Sequence, residues 1–201
     1  MHRAAVAVTP RRTLDATTPI GDVHLDGVEV DADRVLAEPG PGVERRLQRA
    51  MDEATVALAT ATVGACREIF DTTLAYAKQR EQYGRLIGSF QALKHRLADM
   101  YLAVERASSV CWYAALTIAE EDPRRAEAAS VAKAAAGDCQ RLLVKEGLQL
   151  HGGIGYTWEH DLHFLLKRAK SGDALFGNAI AHRARLAAML GLVDGAPEVA
   201  A

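Results

Sequence analysis

Two short stretches carry residue types that could bind a ligand or react with one. The first is QLHGGIGYTWEHDLH, Gln149 to His163, where three glycines fall within four residues, followed by Tyr156, Trp158 and two further histidines. Adjacent glycines let a ligand approach the backbone and its N–H groups, an arrangement suited to phosphate. The same residues suit a plain helix stop, since glycine commonly follows the last helical turn. The second stretch is REQYG, Arg80 to Gly84. A guanidinium pairs two phosphate oxygens at once, yet an arginine closing a helix is also favoured as a simple surface charge. Phe90 reads as a core aromatic, Gln91 as a solvated amide, and Trp112 and Tyr113 as bundle core. His160 and His163, spaced i,i+3 with Glu159 and Asp161 alongside, could approach one metal ion. No third ligand is indicated, and no metal is expected. No Ser-His-Asp or Cys-His arrangement marks a nucleophile, and no P-loop or GxGxxG follows a strand.

These stretches interrupt a helical pattern that must position them. Val43, Leu47, Met51, Ala54, Leu58, Ala61, Ala65, Ile69 and Leu74 follow a helical period, predicting a helix over 43–79. REQYGRLIGSF breaks it with two glycines. A second helix is expected over 89–121, ended by Asp122-Pro123, and a third over 123–150. After the glycine stretch come a short helix at 159–169 and a last one at 173–191. Residues 1–40 differ: AAVAVTP and VHLDGVEVDADRV alternate apolar and polar residues and predict strands, with a turn or bulge at Asp26-Gly27. Two or three strands make no stable sheet alone, so this segment reads as the end of a larger β unit or as an arm. The expected organisation is a partial β segment over 1–40, a helical bundle over 41–192 and a tail over 193–201. The fold class is mainly α, an up-down four-helix bundle with a short N-terminal β segment. No internal repeat, low-complexity run or heptad seam is visible.

Composition bounds the function. Of 201 residues, 49% are apolar and 25% charged, with a net charge of −2 and both signs mixed throughout. That leaves no electrostatic footprint for nucleic acid or for an anionic membrane surface, and neither is expected as a partner. No stretch approaches a membrane span, and the apolar run in MHRAAVAVTPRR is too short for a signal peptide. A cytoplasmic location is expected. Cys66, Cys111 and Cys139 are far apart in sequence and read as small buried thiols in a reducing compartment.

Taken together, the motifs resemble the C-terminal helical domain of acyl-CoA dehydrogenases over residues 43–190. The family's pattern of R-x-x-F-G, F-Q, Q-x-x-G-G-x-G-[YF] and R-D-A-K is met by Arg80 to Gly84, Phe90-Gln91, Gln149 to Tyr156, and Arg168-Ala-Lys170. Residues 18–39 are similar to the run that ends the family's middle β domain. The resemblance implies an oxidoreductase that uses FAD to remove hydrogens from the α and β carbons of an acyl-CoA, in fatty acid or sterol side-chain metabolism. It implies a homo- or hetero-oligomer, dimer or tetramer, with an acyl-CoA dehydrogenase-like chain, and electron-transfer flavoprotein as a candidate acceptor. On that reading Arg80 pairs with the FAD pyrophosphate, Tyr83 and Phe90 flank the cofactor, and Gln91 lies near its adenosine end. Gln149, Gly152 and Gly153 face the pyrophosphate of the other FAD. Gln82 and Asn178 complete the implied cofactor contacts.

The chain departs from the family where the base belongs. In most members a glutamate lies six residues beyond the R-D-A-K lysine; here that position is Phe176, followed by Gly177. In others the base lies twenty-six residues before the R-x-x-F-G arginine; here that is Ala54, with Thr55 where an arginine is expected. Asp52 and Glu53 are neighbours, but adjacent helical positions point about 100° apart. The catalytic residue is therefore unassigned. TWEHDLH replaces the commoner T-E-Y-P-V-E, a wording found in actinobacterial members, some of which are heteromers with shared active sites. The family's N-terminal helical domain and most of its β domain have no counterpart in these 201 residues. The expected function is a dehydrogenase subunit that needs a partner chain for the base and the missing domains. The alternative is a non-catalytic structural subunit or a truncated remnant.

Overall fold

A computed structural model describes residues 6–193. The chain divides into two compact units, Met1–Ala50 and Met51–Ala201. In the first, β1 (Ala7–Arg11) pairs antiparallel with β2 (Ile20–His24), in register from Ala7 opposite His24 to Arg11 opposite Ile20. A Cβ on Gly21 would press on the Thr9 carbonyl oxygen at 3.0 Å. Asp15 ties the connection: its carboxylate accepts from the Thr17 N–H (3.0 Å) and the Thr17 and Thr18 hydroxyls. The start of the AAVAVTP stretch lies outside the described residues. The turn expected at Asp26-Gly27 is present, with Gly27 at φ +62°; β2 ends before it at His24, and no strand resumes over Val28 and Val30. Beyond it the backbone runs to a single 3-10 turn at Ala32–Arg34. Val8 and Val23 are exposed, as expected for a two-stranded ribbon with no covered face.

Five helices follow: α1 (Pro41–Gln79), α2 (Gln91–Ala119), α3 (Arg125–His151), α4 (Leu162–Ala174) and α5 (Ala179–Met189). Proline opens α1 at a position where its missing N–H has no intrahelical partner anyway. The fold is the expected up-down four-helix bundle, with α4 and α5 both packed on α3. The buried positions show why these segments are helical and how they meet. Val56, Ala59, Val63, Cys66 and Phe70 of α1 recur at steps of three and four. So do Met100, Val104, Ala107, Cys111 and Ala114 of α2, and Ala129, Ala132, Ala136, Cys139 and Leu143 of α3. This is the seam spacing of shallow-crossing bundles, and it corrects the expectation that no such seam exists. Alanine and cysteine occupy most seam positions and do not stand out in an alanine-rich chain. Small residues also let the helices approach closely. A Cβ on Gly147 would lie 2.7 Å from Ile69 Cγ2, and one on Gly172 would collide with the Thr62 side chain.

Three breaks shape the bundle. Between α1 and α2, β3 (Glu81–Gln82) and β4 (Arg85–Leu86) form a tight hairpin. Its turn residues Tyr83 and Gly84 have φ +53° and +73°, the pair of left-handed residues that a two-residue hairpin requires. After α3 the chain makes a 3-10 helix at Gly152–Tyr156. The third break differs from expectation: the short helix expected over 159–169 runs over 162–174, and the last helix starts at Ala179 rather than 173. Phe176 and Gly177 take φ +56° and +87°, and the Asn178 side chain accepts from the N–H groups of Ile180 and Ala181 at 3.0 Å each. That N-cap fixes where α5 begins.

Two buried polar groups lock the bundle. Asp52 is fully buried and is gripped by Arg185 at 3.0 Å and Arg125 at 3.4 Å. Lys133, 1% exposed, donates to the carbonyls of Asp173 (2.9 Å) and Gly177 (2.7 Å), while Gln140 donates to the Asp173 carboxylate (3.1 Å). Cys66, Cys111 and Cys139 are buried free thiols. Burial pushes the Cys111 thiol up to about 11. Among the described residues no helix is long and apolar enough to cross a membrane.

Candidate cofactor-binding site

The end of α1, the hairpin, the start of α2 and the end of α3 surround a cavity of about 780 Å³. Its volume is within the range of ligand pockets. Arg80, Gln82, Tyr83, Phe90, Gln149, Gly152 and Gly153 all line it. Where the resemblance divides the two motifs between two cofactors, the structure places both on one cavity of one chain. Gln91 is exposed at the start of α2 and does not line the cavity. Asn178 lies at the opening of α5, its side-chain oxygen committed to the cap described above.

The local structure explains how each group is presented. Arg80 sits at the end of α1, where the Ile87 N–H donates to its carbonyl at 2.8 Å and closes the hairpin beneath it. Its guanidinium has no carboxylate partner among the described residues, so its charge is uncompensated at the cavity wall. A second cation, Arg96, is tied to Glu146 at 3.1 Å. Tyr83, held by its left-handed backbone, meets Phe90 edge-on at 6.3 Å, and the Arg85 guanidinium lies over Phe90 at 4.1 Å. In the same lining, Gly152 has φ +63° and ψ −141°, a conformation reserved for glycine. A Cβ added at Gly152 or Gly153 would meet nothing within 4 Å. Unlike Gly147 and Gly172, these two glycines serve no packing contact and leave open space over the backbone. An uncompensated guanidinium and bare glycine backbone on one cavity fit a diphosphate group.

Sequence reasoning missed Tyr76, Arg96 and His151, which also line the cavity. Tyr76 lies one helical turn before Arg80, and that i,i+4 relation was the available signal. His151 is 97% buried by its 3% exposure. Its Nδ1 lies 2.8 Å from the Gly147 carbonyl, and its ring stacks on Tyr76 at 4.6 Å. The other histidines of the stretch serve α4: His160 Nδ1 accepts the Leu162 N–H at 3.1 Å, and His163 packs between Trp158 and Phe164. Among the described residues no group of three His, Cys, Asp or Glu is placed to hold a metal.

No carboxylate stands where the two family base positions fall. Ala54 is on α1, and Phe176 is a half-exposed residue of the left-handed turn. Asp52 is buried between two guanidiniums and is not available as a proton acceptor. A separate depression is lined by Leu74, Ala77, Leu86 and Leu97, with Lys78, Ser89 and Lys94 beside them.

Residues 42–191 match the family model for the acyl-CoA dehydrogenase C-terminal domain. The acyl-CoA dehydrogenase IpdE2 of Mycobacterium tuberculosis is 43% identical over 137 residues, which are 68% of this chain and 39% of that protein. The Tcur3481-Tcur3483 steroid ACAD G363A variant superposes with a TM-score of 0.80 at 30% identity, covering 94% of this chain and 49% of the other. The ChsE4-ChsE5 complex of Mycobacterium tuberculosis gives a TM-score of 0.83 at 29% identity, covering 95% and 50%. The chain thus spans about half the length, or less, of these proteins.

Proposed function

Because the chain belongs to the acyl-CoA dehydrogenase family, we propose that it forms part of an FAD-dependent acyl-CoA dehydrogenase and supplies one cradle for the cofactor's diphosphate. The observation that carries this is the meeting of Arg80 with Gly152 and Gly153 on one cavity. Arg80 would bind the diphosphate through paired N–H donors. Gly152 and Gly153 would admit it to the backbone, and Tyr83 with Phe90 would exclude water along one side. When bound, FAD supplies the acceptor for the hydride that leaves the substrate's β carbon. The α proton must go to a carboxylate base. Neither Phe176 nor Ala54 can take it, so a partner chain supplies that group. The heteromeric ChsE4-ChsE5 assembly, similar over 95% of this chain, supports an arrangement of two unlike chains. The steroid ACAD likeness favours a bulky acyl-CoA as substrate, and electron-transfer flavoprotein is the proposed electron acceptor.

The test is co-expression with a full-length acyl-CoA dehydrogenase-like chain that carries a glutamate at the Phe176-equivalent place. The expected outcome is a yellow complex, with the present chain alone holding FAD weakly. Arg80→Ala should weaken flavin retention by about 1.5–3 kcal/mol, the range for a hydrogen bond to a charged group. Unchanged retention would reject the cradle. The second reading, a non-catalytic subunit, is favoured by the missing carboxylate. It predicts that the complex turns over equally well with Arg80→Ala.

A further inference from the structure

His151 carries an unanswered polar atom in the wall of the cavity. Its Nδ1 faces the Gly147 carbonyl at 2.8 Å. A carbonyl only accepts, so Nδ1 bears the hydrogen. Burial, the largest influence, holds the ring's pKa below the ordinary histidine range, and the ring is neutral at pH 7. Nε2 is therefore a bare acceptor, and it is buried without a hydrogen-bond partner. The ring cannot easily turn to hide it. Tyr76 stacks on it at 4.6 Å, and His160 meets it edge-on at 4.8 Å. His160, whose Nδ1 accepts the Leu162 N–H, makes no hydrogen bond to it. A buried acceptor left unmade is costly, and native proteins retain few such groups outside functional places.

We propose that His151 is a ligand-contacting residue of this cavity: its Nε2 accepts a hydrogen bond from a hydroxyl of the bound nucleotide, on the sugar or polyol chain beside the diphosphate. The proposal rests on the diphosphate cradle described above. The chemistry of the wall supports a hydroxyl donor. Diphosphate oxygens carry no hydrogen and are matched to Arg80, whereas Nε2 can only be satisfied by a donor. Gln149, which lines the same cavity, is exposed and has no side-chain hydrogen bond among the described residues.

The test uses the full chain with ¹⁵N-labelled histidine and arginine side chains, titrated to millimolar concentration with FAD and, separately, with inorganic pyrophosphate. FAD should move the His151 Nε2 resonance in the direction of hydrogen-bond acceptance, whereas pyrophosphate should move only the Arg80 signals. His151→Phe, which keeps the stacked ring, should weaken FAD binding about tenfold and leave pyrophosphate binding unchanged. Arg80→Ala should weaken both. If FAD moves Arg80 but not His151, or if pyrophosphate alone moves Nε2 equally, the assignment of His151 is overturned while the cradle stands. If FAD moves neither residue, both readings fall. The wild-type titration decides the matter even if His151→Phe does not fold.

Discussion

Lys133 Nζ donates to the carbonyl of Gly177 at 2.7 Å, reaching from the middle of α3 to the left-handed turn before α5. Its second bond, to the Asp173 carbonyl at 2.9 Å, caps the last turn of α4. One ammonium thus satisfies carbonyls on both sides of the α4–α5 break and holds Phe176 and Gly177 in their left-handed conformations.

Burial drives the Lys133 pKa down to about 8, with the Asp173 charge opposing the shift. An unfolded lysine keeps its proton to about pH 10.4. Between pH 8 and pH 10 this side chain therefore binds more protons in the unfolded chain than in the folded one, and its contribution to stability rises with pH, opposite in sign to that of the buried Cys111 thiol. The gain should be about 1–3 kcal/mol after allowance for solvent screening. Urea denaturation at pH 7.5, 9 and 10 measures it. Lys133→Met should remove this slope. The Lys133 contribution is the difference between wild type and Lys133→Met, and identical pH slopes in the two would show that Lys133 is not buried as described.

Asp52 neutralises two arginines that are themselves mostly buried, Arg185 at 14% and Arg125 at 23% side-chain exposure. Removing the carboxylate strands both charges. Asp52→Ala should destabilise the chain by about 3–5 kcal/mol, read as a drop in the denaturation midpoint at unchanged slope.

Two glycine substitutions should separate binding from packing. Gly153→Val adds atoms to open space, so it should change stability by less than about 0.5 kcal/mol yet obstruct FAD. Gly147→Ala pushes a methyl against Ile69 and should cost about 1–3 kcal/mol while leaving the cavity lining intact. Parallel melting curves and FAD titrations of the two variants test the contrast. The cradle is refuted if Gly153→Val binds FAD like the wild type.

Asn178 separates a cap from a cofactor contact. Asn178→Ala should lower stability by about 1 kcal/mol, the loss of an N-cap, and should leave FAD affinity unaltered in a direct titration.

The long helices were legible because their apolar residues recur at helical spacing and because Pro41, Pro123 and the glycine clusters punctuate them. Arg80 and Gly152–Gly153 were legible as cofactor contacts only through motif resemblance, since neither motif binds phosphate on its own evidence, and their sharing one cavity was not legible at all. What escaped was tertiary. The α4–α5 break depends on Lys133, forty-four positions away from Gly177, and no local pattern reports such a partner. His151 looked like a helix-end residue because its environment comes from Tyr76 and His160, on other elements. The alternating seam was masked by alanine, whose burial says more about how close the neighbouring helix lies than about its own hydrophobicity.

All three cysteines lie in the interior, at most 4% exposed and divided among α1, α2 and α3. A maleimide added to the folded chain therefore has no surface sulfur to consume it. Alkylation must wait for the helices to part, and its rate counts opening events directly. Any bound molecule that braces the ends of α1 and α3 should slow that rate in proportion to its occupancy, giving an assay for ligands that requires neither colour nor turnover.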